Sequence, residues 1–369
     1  MERNCYTGIF IWGTGYNAER LNIVFENELK RENIIGYIDN DLGKKENLFW
    51  GKPIYAPDIL KEYKDSAIFI SVGKKEEIYQ QISIEYPFYK ERILESEYFI
   101  KMKLMNRYKE NKDMEVKEIL EYLKNHPLGI FNYSFVEKYK IDEILIGVEN
   151  GLYYTIHNGK KLFFSKDYDT EQKAKQYYLS LIIEQDENSP HRYLTESFQV
   201  PDGAVVVDAG TAEGIFSLDI IDKVKKIYMF EPEKAWIDAL KYTFEMYMDK
   251  VVIINKCVSN YIDEGTTTID DSVEEEKVDF IKMDIEGEEY YALQGAEKLL
   301  RRSLDVKCDI CSYHQEFAYE IIKSEMEKLG FDIAHSKGYM WYIEHFNIMR
   351  PPVLRRGLIR AEKICNNNK

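Results

Sequence analysis

Two glycines and three carboxylates between positions 208 and 231 have the types and spacing of a nucleoside-binding turn. Asp208, Gly210, Glu213 and Gly214 follow one apolar stretch, and Glu231 ends the next one. Glycines permit a tight turn and a close approach of a ligand, because no Cβ stands in the way. A carboxylate at the position of Glu231 can accept both hydroxyls of a ribose. The pattern therefore predicts a site for a ribose-containing ligand.

The acids beside the glycines predict the charge of that ligand. Asp208 and Glu213 would repel the pyrophosphate of a dinucleotide, whereas they would attract a nucleoside with a cationic tail. S-adenosylmethionine is such a nucleoside, so the turn favours it as the cofactor. The alternative is a Rossmann-like turn that serves only to pack a helix against a strand.

The elements predicted around the turn would place these groups at one edge of a sheet. Residues 205–207 and 227–230 are apolar runs typical of strands that are buried on both faces. Residues 215–224 between them have the apolar spacing of a helix that packs on a sheet. The pattern predicts a doubly wound α/β sheet, in which ligands bind outside the carboxyl ends of the strands.

Residues after two later strands are expected to complete the site. The apolar run 251–254 predicts a strand, and Val258 and Ser259 beyond it are expected to border an adenine. The run 280–283 predicts a central strand that ends at Asp284. We predict that Asp284 positions or deprotonates an acceptor hydroxyl. The alternative is that Asp284 only caps the following helix.

The stretch around Asp284 resembles the signature of the FkbM family of methyltransferases. The similar residues are 280–287 (Phe-Ile-Lys-Met-Asp-Ile-Glu-Gly), Glu289, 293–296 (Leu-Gln-Gly-Ala), 269–271 (Ile-Asp-Asp) and 208–214, the glycine turn. The resemblance extends from about residue 152 to the C-terminus. It implies a class I, Rossmann-like fold that uses S-adenosylmethionine and methylates a hydroxyl of a sugar or glycan precursor.

The family resemblance also implies a second catalytic candidate. After the next strand the family often has an acid before a histidine, whereas this chain has Cys-Ser-Tyr-His at 311–314, so only His314 carries over. A magnesium ion held by Asp284, Glu286 and Asp270 is a weaker alternative to base catalysis, since oxygen ligands suit that ion. No spacing in the chain demands an ion, and no metal is predicted.

A second glycine turn lies near the N-terminus. An apolar strand at 8–12 precedes a GxGxxA turn with Gly13 and Gly15, and the strand at 34–38 ends at Asp39. This order matches the dinucleotide fingerprint, with Asp39 in the ribose position. The segment resembles the nucleotide-binding module of some bacterial sugar-modifying enzymes, which would bind a nucleotide or nucleotide-sugar. A degenerate module for docking or homodimerisation remains equally open.

Between the two turns the sequence predicts connecting elements. Residues 171–184 predict a helix, and Asn158-Gly159 predicts the turn of a hairpin. Residues 191–193 (His-Arg-Tyr) are expected to form either a lid over the cofactor or a solvated linker. The predicted domains are a small Rossmann-like module at 1–100, a helical connector with hairpin and lid at 101–200, and an S-adenosylmethionine-binding core at 201–369.

Composition narrows the class of protein. The chain has 369 residues and a net charge of −15, which argues against nonspecific nucleic-acid binding. It contains no apolar run near the ~20 residues of a membrane span, and its start does not read as a secretory leader. Cys308 and Cys311 have metal or redox spacing but are expected to be two unpaired core thiols. We therefore expect a cytoplasmic protein.

Three functions follow from these patterns. The first is an S-adenosylmethionine-dependent O-methyltransferase with a small-molecule or glycan acceptor. The second is a noncatalytic scaffold with two Rossmann-like modules that bind nucleotides or nucleotide-sugars. The third is an NAD(P)-dependent oxidoreductase that uses the N-terminal GxGxxA turn.

Overall fold

The computed structural model describes residues 6–94, 96–342 and 352–363. The chain forms two compact units, one of Met1–Asn132 with His345–Val353 and one of Tyr133–Glu344 with Leu354–Lys369. The division falls inside the segment predicted as a connector. Residues before 133 in that segment thus lie in the first unit, and the hairpin and helix after it lie in the second.

The described part of the first unit contains six strands and five α-helices. The strands are β1 (Gly8–Trp12), β2 (Ile34–Ile38), β3 (Leu48–Phe49), β4 (Lys52–Tyr55), β5 (Ser66–Ile70) and β6 (Ile93–Leu94). The helices are α1 (Tyr16–Val24), α2 (Glu26–Arg31), α3 (Lys75–Glu85), α4 (Ser96–Tyr108) and α5 (Met114–Leu123).

The sheet of the first unit has the order β3-β4-β2-β1-β5-β6. All its pairings are parallel except β3 with β4. Strands β1 and β5 are buried along their whole length, as expected for parallel strands covered on both faces. Phe10, Trp12 and Ile68 belong to the core that these strands share with α3. This is the small α/β arrangement that the sequence predicts.

The described part of the second unit contains fourteen strands and seven α-helices. The strands are β7 (Gly147–Glu149), β8 (Leu152–His157), β9 (Lys160–Phe163), β10 (Val205–Ala209), β11 (Lys226–Phe230), β12 (Val251–Ile254), β13 (Cys257–Val258), β14 (Thr266–Thr267), β15 (Phe280–Met283), β16 (Lys307–Cys311), β17 (Asp332–His335), β18 (Met340–Trp341), β19 (Leu354–Arg355) and β20 (Leu358–Glu362). The helices are α6 (Glu171–Glu184), α7 (Ile215–Ile220), α8 (Lys234–Thr243), α9 (Ile269–Val273), α10 (Glu289–Gln294), α11 (Glu297–Arg302) and α12 (Ala318–Lys328).

The main sheet of the second unit has the order β12-β11-β10-β15-β16-β20-β17. Its first five strands are parallel, and β20 runs antiparallel between β16 and β17. The chain leaves β10 toward β11 on one side and returns to β15 on the other. The carboxyl ends of β10 and β15 therefore form a topological switch point, where ligands bind in sheets of this kind. The predicted Rossmann-like, doubly wound fold is confirmed.

Local sequence signals explain the elements that precede this sheet. Asn158 and Gly159 both have positive φ angles, of 50° and 81°, which a tight two-residue hairpin turn requires. They join β8 to β9 as predicted, and β7 adds a third strand that the sequence did not indicate. Helix α6 has the predicted bounds, and the Thr170 side chain caps it by accepting from the Lys173 backbone N–H.

Two further expectations concern cysteines and membrane spans. Cys308 and Cys311 are free and buried in β16, as predicted. Among the helices of the described residues, none combines the length and hydropathy of a membrane span.

Candidate active site

A cavity of about 540 Å³ opens at the carboxyl edge of the main sheet. Its walls include the turns that follow β10, β11 and β15, together with one face of α6. Among the described residues, the lining of this cavity has many more acidic than basic side chains. The charged lining residues are seven carboxylates (Glu184, Glu213, Glu231, Glu233, Asp284, Glu286 and Glu288) and two lysines (Lys256 and Lys282).

The glycines of the turn after β10 are required by backbone packing. Gly210 has a φ of +77°, and a Cβ there would lie 1.8 Å from the carbonyl oxygen of Asp284. Gly214 has a φ of +87°, and its Cβ would lie 2.8 Å from the Phe244 ring. Gly210 lines the cavity, whereas Gly214 does not and instead precedes α7. Gly210 therefore lies where it can contact a ligand, as predicted, whereas Gly214 is required for packing against Phe244.

Asp208 lies beneath the turn rather than in the cavity. Its side chain is fully buried, it accepts a 2.6 Å hydrogen bond from the Ser217 hydroxyl, and Lys282 Nζ lies 3.0 Å from its Oδ1. Lys282 also donates to the Gly210 carbonyl at 2.5 Å. The expectation that Asp208 meets a cationic tail is therefore corrected. Asp208 compensates Lys282, which in turn holds the turn in place.

Glu213 and Glu231 do line the cavity. The Tyr177 hydroxyl donates a hydrogen bond to the Glu213 carboxylate. Burial nevertheless raises the pKa of Glu213 above its usual value. The two oxygens of Glu231 accept from the backbone N–H groups of Ala212 and Glu233, at 2.8 and 2.7 Å. Each oxygen can accept a further hydrogen bond. Glu231 thus lines the cavity with acceptor capacity to spare, although burial raises its pKa, and its contact with a ribose stays a prediction.

The residues expected at the adenine differ in their placement. Val258 lines the cavity. Ser259 is buried outside the lining, donates its N–H to the Thr267 carbonyl at 3.0 Å, and packs its own carbonyl against Gly295. The assignment of Ser259 to the adenine is therefore corrected, because its backbone joins β14 and the end of α10.

Asp284 lines the cavity and is the centre of a hydrogen-bonded cluster. Its side chain is 19% exposed, and its Oδ2 accepts from the Tyr193 hydroxyl at 2.7 Å. Its Oδ1 accepts from the Tyr313 hydroxyl at 3.3 Å. Burial alone would raise the pKa of Asp284, but His191, Lys282 and His314 outweigh it and hold that pKa well below its usual range. Asp284 is therefore a carboxylate at neutral pH.

His314 stands behind Asp284. Its side chain is 3% exposed and does not line the cavity. Its Nδ1 lies 3.0 Å from Glu289 Oε1, and its Nε2 lies 3.4 Å from Asp284 Oδ1. Burial lowers the pKa of His314, but the hydrogen bond to Glu289 and the charge of Asp284 raise it to a net value above the usual one. The two predicted catalytic residues thus lie together, with only Asp284 at the cavity.

The segment 191–193 forms a fixed part of the site. His191 and Tyr193 are 2% and 6% exposed, and the Arg192 carbonyl accepts from the Arg360 side chain at 2.6 Å. The alternative of a solvated linker is therefore wrong. Tyr193 lines the cavity through its contact with Asp284, so this segment is a packed wall.

Helix α6 contributes groups that sequence reasoning missed. Tyr177, Leu181 and Glu184 all line the cavity, and their i, i+4, i+7 spacing places them on one helical face. Burial, with the charges of Asp284 and Glu213, raises the pKa of Glu184 to about 7. That spacing was visible in the sequence, but its direction toward the cavity was not.

Aromatic rings form a second part of the lining. Tyr168 and Tyr177 have ring centroids 4.3 Å apart, and each lies within 5.6 Å of the Trp236 ring. All three rings line the cavity. Aromatic faces attract cations and stack on planar bases, so this wall suits a cationic nucleoside.

Asp270 does not join this site. Its two oxygens accept from the backbone N–H groups of Lys298 and Leu299, at 3.0 and 2.8 Å, and so cap α11. A magnesium site that includes Asp270 is therefore wrong. Ligand atoms of Asp284, Glu289 and His314 do lie within 4.8 Å of one another.

The first unit has its own cavity, of about 380 Å³, lined by Gly13, Gly15 and Asp39. The Asp39 carboxylate accepts from Thr14, from Lys44 Nζ at 2.8 Å and from the Asp41 N–H at 2.9 Å. Burial raises the pKa of Asp39, but Lys44 and Thr14 lower it to a net value below the usual one. The nucleotide site predicted there stays a prediction, with its carboxylate already paired.

Comparisons with known proteins give one family match and several similar solved structures. No curated protein matches the chain. Similar solved structures include a methyltransferase FkbM from Methylobacillus flagellatus KT, 16% identical, covering 96% of this chain and 89% of that chain, with a TM-score of 0.41. An rRNA methylase from Streptococcus thermophilus is 19% identical over 45% of this chain and 89% of that one, with a TM-score of 0.31. A SAM dependent methyltransferase from Aquifex aeolicus is 15% identical over 52% and 98%, with a TM-score of 0.33.

The family comparison covers the part of the chain that contains Asp284 and His314. Residues 254–333 match the family model described as the methyltransferase FkbM domain. This match supports the prediction of a methyltransferase. Residues 254–333 are therefore similar to a methyltransferase FkbM domain, which confirms over that segment the resemblance expected from the sequence.

Proposed function

We propose that the second unit is an S-adenosylmethionine-dependent methyltransferase that methylates a hydroxyl oxygen of a sugar or glycan precursor. The observation that carries the proposal is the acidic cavity at the switch point, whose lining includes both Asp284 and Glu231 with its remaining acceptor capacity. Seven carboxylates against two lysines favour a cationic ligand there.

In this proposal Glu231 accepts the ribose hydroxyls, and Val258 borders the adenine. The turn at Gly210 allows the ligand backbone to approach closely. Glu213 and Glu184 face the cationic amino-acid tail, and the aromatic wall of Tyr168, Tyr177 and Trp236 adds faces on which a cation or base can rest. The lining residues supply each of the three chemical parts of the cofactor with a partner.

Methyl transfer follows from placing an acceptor hydroxyl beside Asp284. The oxygen lone pair forms a bond to the methyl carbon, the carbon–sulfur bond breaks, and its electron pair stays on sulfur to give S-adenosylhomocysteine. The hydroxyl proton leaves to a carboxylate or to water. Because its pKa is held low, Asp284 is a weak base. Its main role is therefore to accept the hydroxyl's hydrogen bond and align the oxygen with the methyl group.

Calorimetry with S-adenosylhomocysteine tests the proposal directly. We expect one binding site per chain, lost or weakened when Glu231 is replaced by Ala. Parallel titrations with NAD and a nucleotide-sugar test the oxidoreductase and the scaffold. Binding of NAD with no binding of S-adenosylhomocysteine would overturn the methyltransferase in favour of the oxidoreductase.

A further inference from the structure

Lys282 is a buried cation in the wall of the acidic cavity. It lies in β15, its side chain is 4% exposed, and it is one of two lysines among the described lining residues. Its Nζ lies 3.0 Å from Asp208 Oδ1 and donates to the Gly210 carbonyl at 2.5 Å. Burial lowers the pKa of Lys282, but the charges of Asp208 and Asp284 raise it to a net value above the usual one. Lys282 is therefore an ammonium group at neutral pH.

This ammonium group has a donor left for a ligand. An ammonium carries three N–H groups, and the contacts with Asp208 and Gly210 account for two of them. Among the described residues Lys282 makes no further hydrogen bond, and its Nζ lies 5.3 Å from the centroid of the Tyr193 ring. The ring attracts the cation through its face and is not a hydrogen-bonding atom. Because Lys282 lines the cavity, a ligand there meets a charged donor.

The backbone donors of the neighbouring turn are already committed. The N–H groups of Gly210 and Thr211 both donate to the Phe230 carbonyl, at 3.0 and 3.1 Å. The Ala212 N–H donates to the Glu231 carboxylate at 2.8 Å. An anionic group of a ligand at this turn therefore finds none of these three N–H groups free.

Three tyrosine hydroxyls of the cavity are committed to carboxylates in the same way. Tyr177 donates to Glu213, and Tyr193 and Tyr313 both donate to Asp284. Each hydroxyl carries a single proton, so none of the three offers a donor to an anionic group while these bonds are in place. The lysine differs from them because it keeps an N–H group and a positive charge.

We propose that Lys282 binds the carboxylate of the cofactor's methionine tail, and that this contact selects ligands with a free α-carboxylate. The proposal rests on the proposed methyltransferase function. The tail is a zwitterion, so acids such as Glu213 and Glu184 attract its ammonium end and repel its carboxylate. In a cavity with seven acidic lining side chains, the carboxylate is stable only beside a cation. Lys256, the second lysine of the lining, instead donates to the Asp263 carbonyl at 3.0 Å, between β12 and β13.

This assignment gives Asp208 an indirect role in cofactor binding. Asp208 is fully buried and pairs with Lys282 from the neighbouring strand. A buried ammonium without a counter-charge loses its proton or destabilises the fold. Asp208 therefore keeps Lys282 charged and in place, and acts as a positioning residue without touching the ligand.

Calorimetry with two ligands that differ only in the carboxylate tests the contact. The probes are S-adenosylhomocysteine and its decarboxylated analogue, in which hydrogen replaces the α-carboxylate. The wild-type chain should bind S-adenosylhomocysteine more tightly than the analogue. Lys282→Met should weaken S-adenosylhomocysteine binding about 10- to 100-fold, the scale of a hydrogen bond between charged groups, without weakening binding of the analogue.

Two further variants separate the contact from a general loss of structure. Lys282→Met leaves Asp208 without its cation, so the double variant Asp208→Asn/Lys282→Met removes both charges together and should show the same ligand selectivity. Lys256→Met is the matched control, because it removes the other lysine of the cavity. Its effect on the two ligands should be equal. Melting curves check that each variant folds.

The contact and the proposed function can fail separately. If the folded wild type binds neither ligand, both the methyltransferase and the contact are overturned. If the wild type binds both ligands with equal affinity, or if the Lys282 variants change the two affinities alike, the contact is overturned and the methyltransferase stands. A loss specific to S-adenosylhomocysteine in Lys256→Met, and not in the Lys282 variants, would assign the carboxylate to Lys256 and overturn the proposal.

Discussion

The two glycine turns of this chain share a sequence pattern and differ in what their carboxylates can do. In each, a buried strand leads to glycines and the next strand leads to an acid. Both oxygens of Glu231 accept from backbone N–H groups, and within the described residues Glu231 forms no salt bridge, whereas Asp39 is paired with Lys44. A carboxylate whose hydrogen-bond donors are neutral keeps acceptor capacity for a ligand, even though burial raises the pKa of Glu231 against the opposing charge of Lys282. The partner of the acid, rather than the glycine pattern, distinguishes the two sites.

The glycines differ as well. A Cβ on Gly210 would collide with the backbone of Asp284, whereas a Cβ on Gly15 would meet nothing within 4 Å. The turn of the second unit is therefore pressed against the strand end that carries the proposed catalytic residue. The first turn leaves open space beside Gly15, in a smaller cavity.

The largest effect is expected at Asp284, which only the second turn has as a neighbour. Asp284→Asn should lower turnover by ~10²–10⁴ and leave S-adenosylhomocysteine affinity unchanged, because the amide cannot orient or activate the acceptor as a carboxylate does. Single-turnover kinetics and calorimetry measure the two effects. The structure does not support the alternative of a helix cap, because Glu288 is the N-cap of α10. Wild-type turnover with a lowered melting temperature would instead mean that Asp284 only holds Tyr193 and Tyr313 in place.

The next effect separates the glycines by stability. Gly210→Ala should destabilise the fold by about 2–4 kcal/mol, because the new methyl group meets the Asp284 backbone and φ is positive. Gly15→Ala, with a φ of −95° and open space, should change the free energy of unfolding by less than about 0.5 kcal/mol. Urea denaturation compares them. Equal losses in the two variants would remove the distinction drawn between the turns.

The two strand-end acids give the third comparison. Glu231→Ala should weaken S-adenosylhomocysteine binding by about 1–3 kcal/mol, the scale of lost hydrogen bonds to a charged group. Asp39→Ala should leave that affinity unchanged, because we place the cofactor in the second unit. Calorimetry on both variants decides the matter. A loss in Asp39→Ala alone would place the cofactor at the first turn.

The smallest effect concerns pH. The pKa of Glu184 is raised to about 7 by burial and by neighbouring Asp284 and Glu213, against His191 and Lys282. Glu184 binds its proton more tightly in the folded protein than in the unfolded chain. Its contribution to stability is therefore most favourable below its unfolded pKa and declines as the pH rises toward 7. As the pH rises, the free energy of unfolding of Glu184→Gln should therefore fall by about 1–2 kcal/mol less than that of the wild type. The pKa of Asp39 is lowered, so Asp39→Asn should lose stability above its unfolded pKa instead.

Denaturation at pH 5 and at pH 8 measures the free energy of unfolding of both variants, Glu184→Gln and Asp39→Asn. From pH 5 to pH 8, the free energy of unfolding of Glu184→Gln should rise relative to that of the wild type. A constant difference between Glu184→Gln and wild type across that range would show that Glu184 does not titrate there.

Several features of the site followed from local pattern. Strands β10, β11 and β15 were predicted from apolar runs, and the turns at their ends were predicted from glycines and acids. That reasoning brought Glu231, Val258 and Asp284 to one cavity, since parallel strands present their carboxyl ends at the same edge. The hairpin at Asn158 and Gly159 was equally local, because only residues that tolerate positive φ form such a turn.

Other assignments depended on distant partners. Asp208 was expected to meet a ligand, but Lys282 reaches it from the neighbouring strand. Asp270 was a candidate metal ligand, but it caps the helix that begins at Glu297. The alternation of residues along a strand does not reveal which long side chain from another strand will neutralise a given acid.

The sequence by itself determined the strand pattern, the doubly wound sheet and the similarity of residues 254–333 to an FkbM domain, because these depend on short-range periodicity and residue type. Only the tertiary structure decided which carboxylates remain available: Glu231 with neutral partners, Asp284 among two tyrosines and two histidines, and His314 held by Glu289. Charge availability depends on distances of a few ångströms between segments far apart in the chain. Those distances are set by packing, and packing has no local signature.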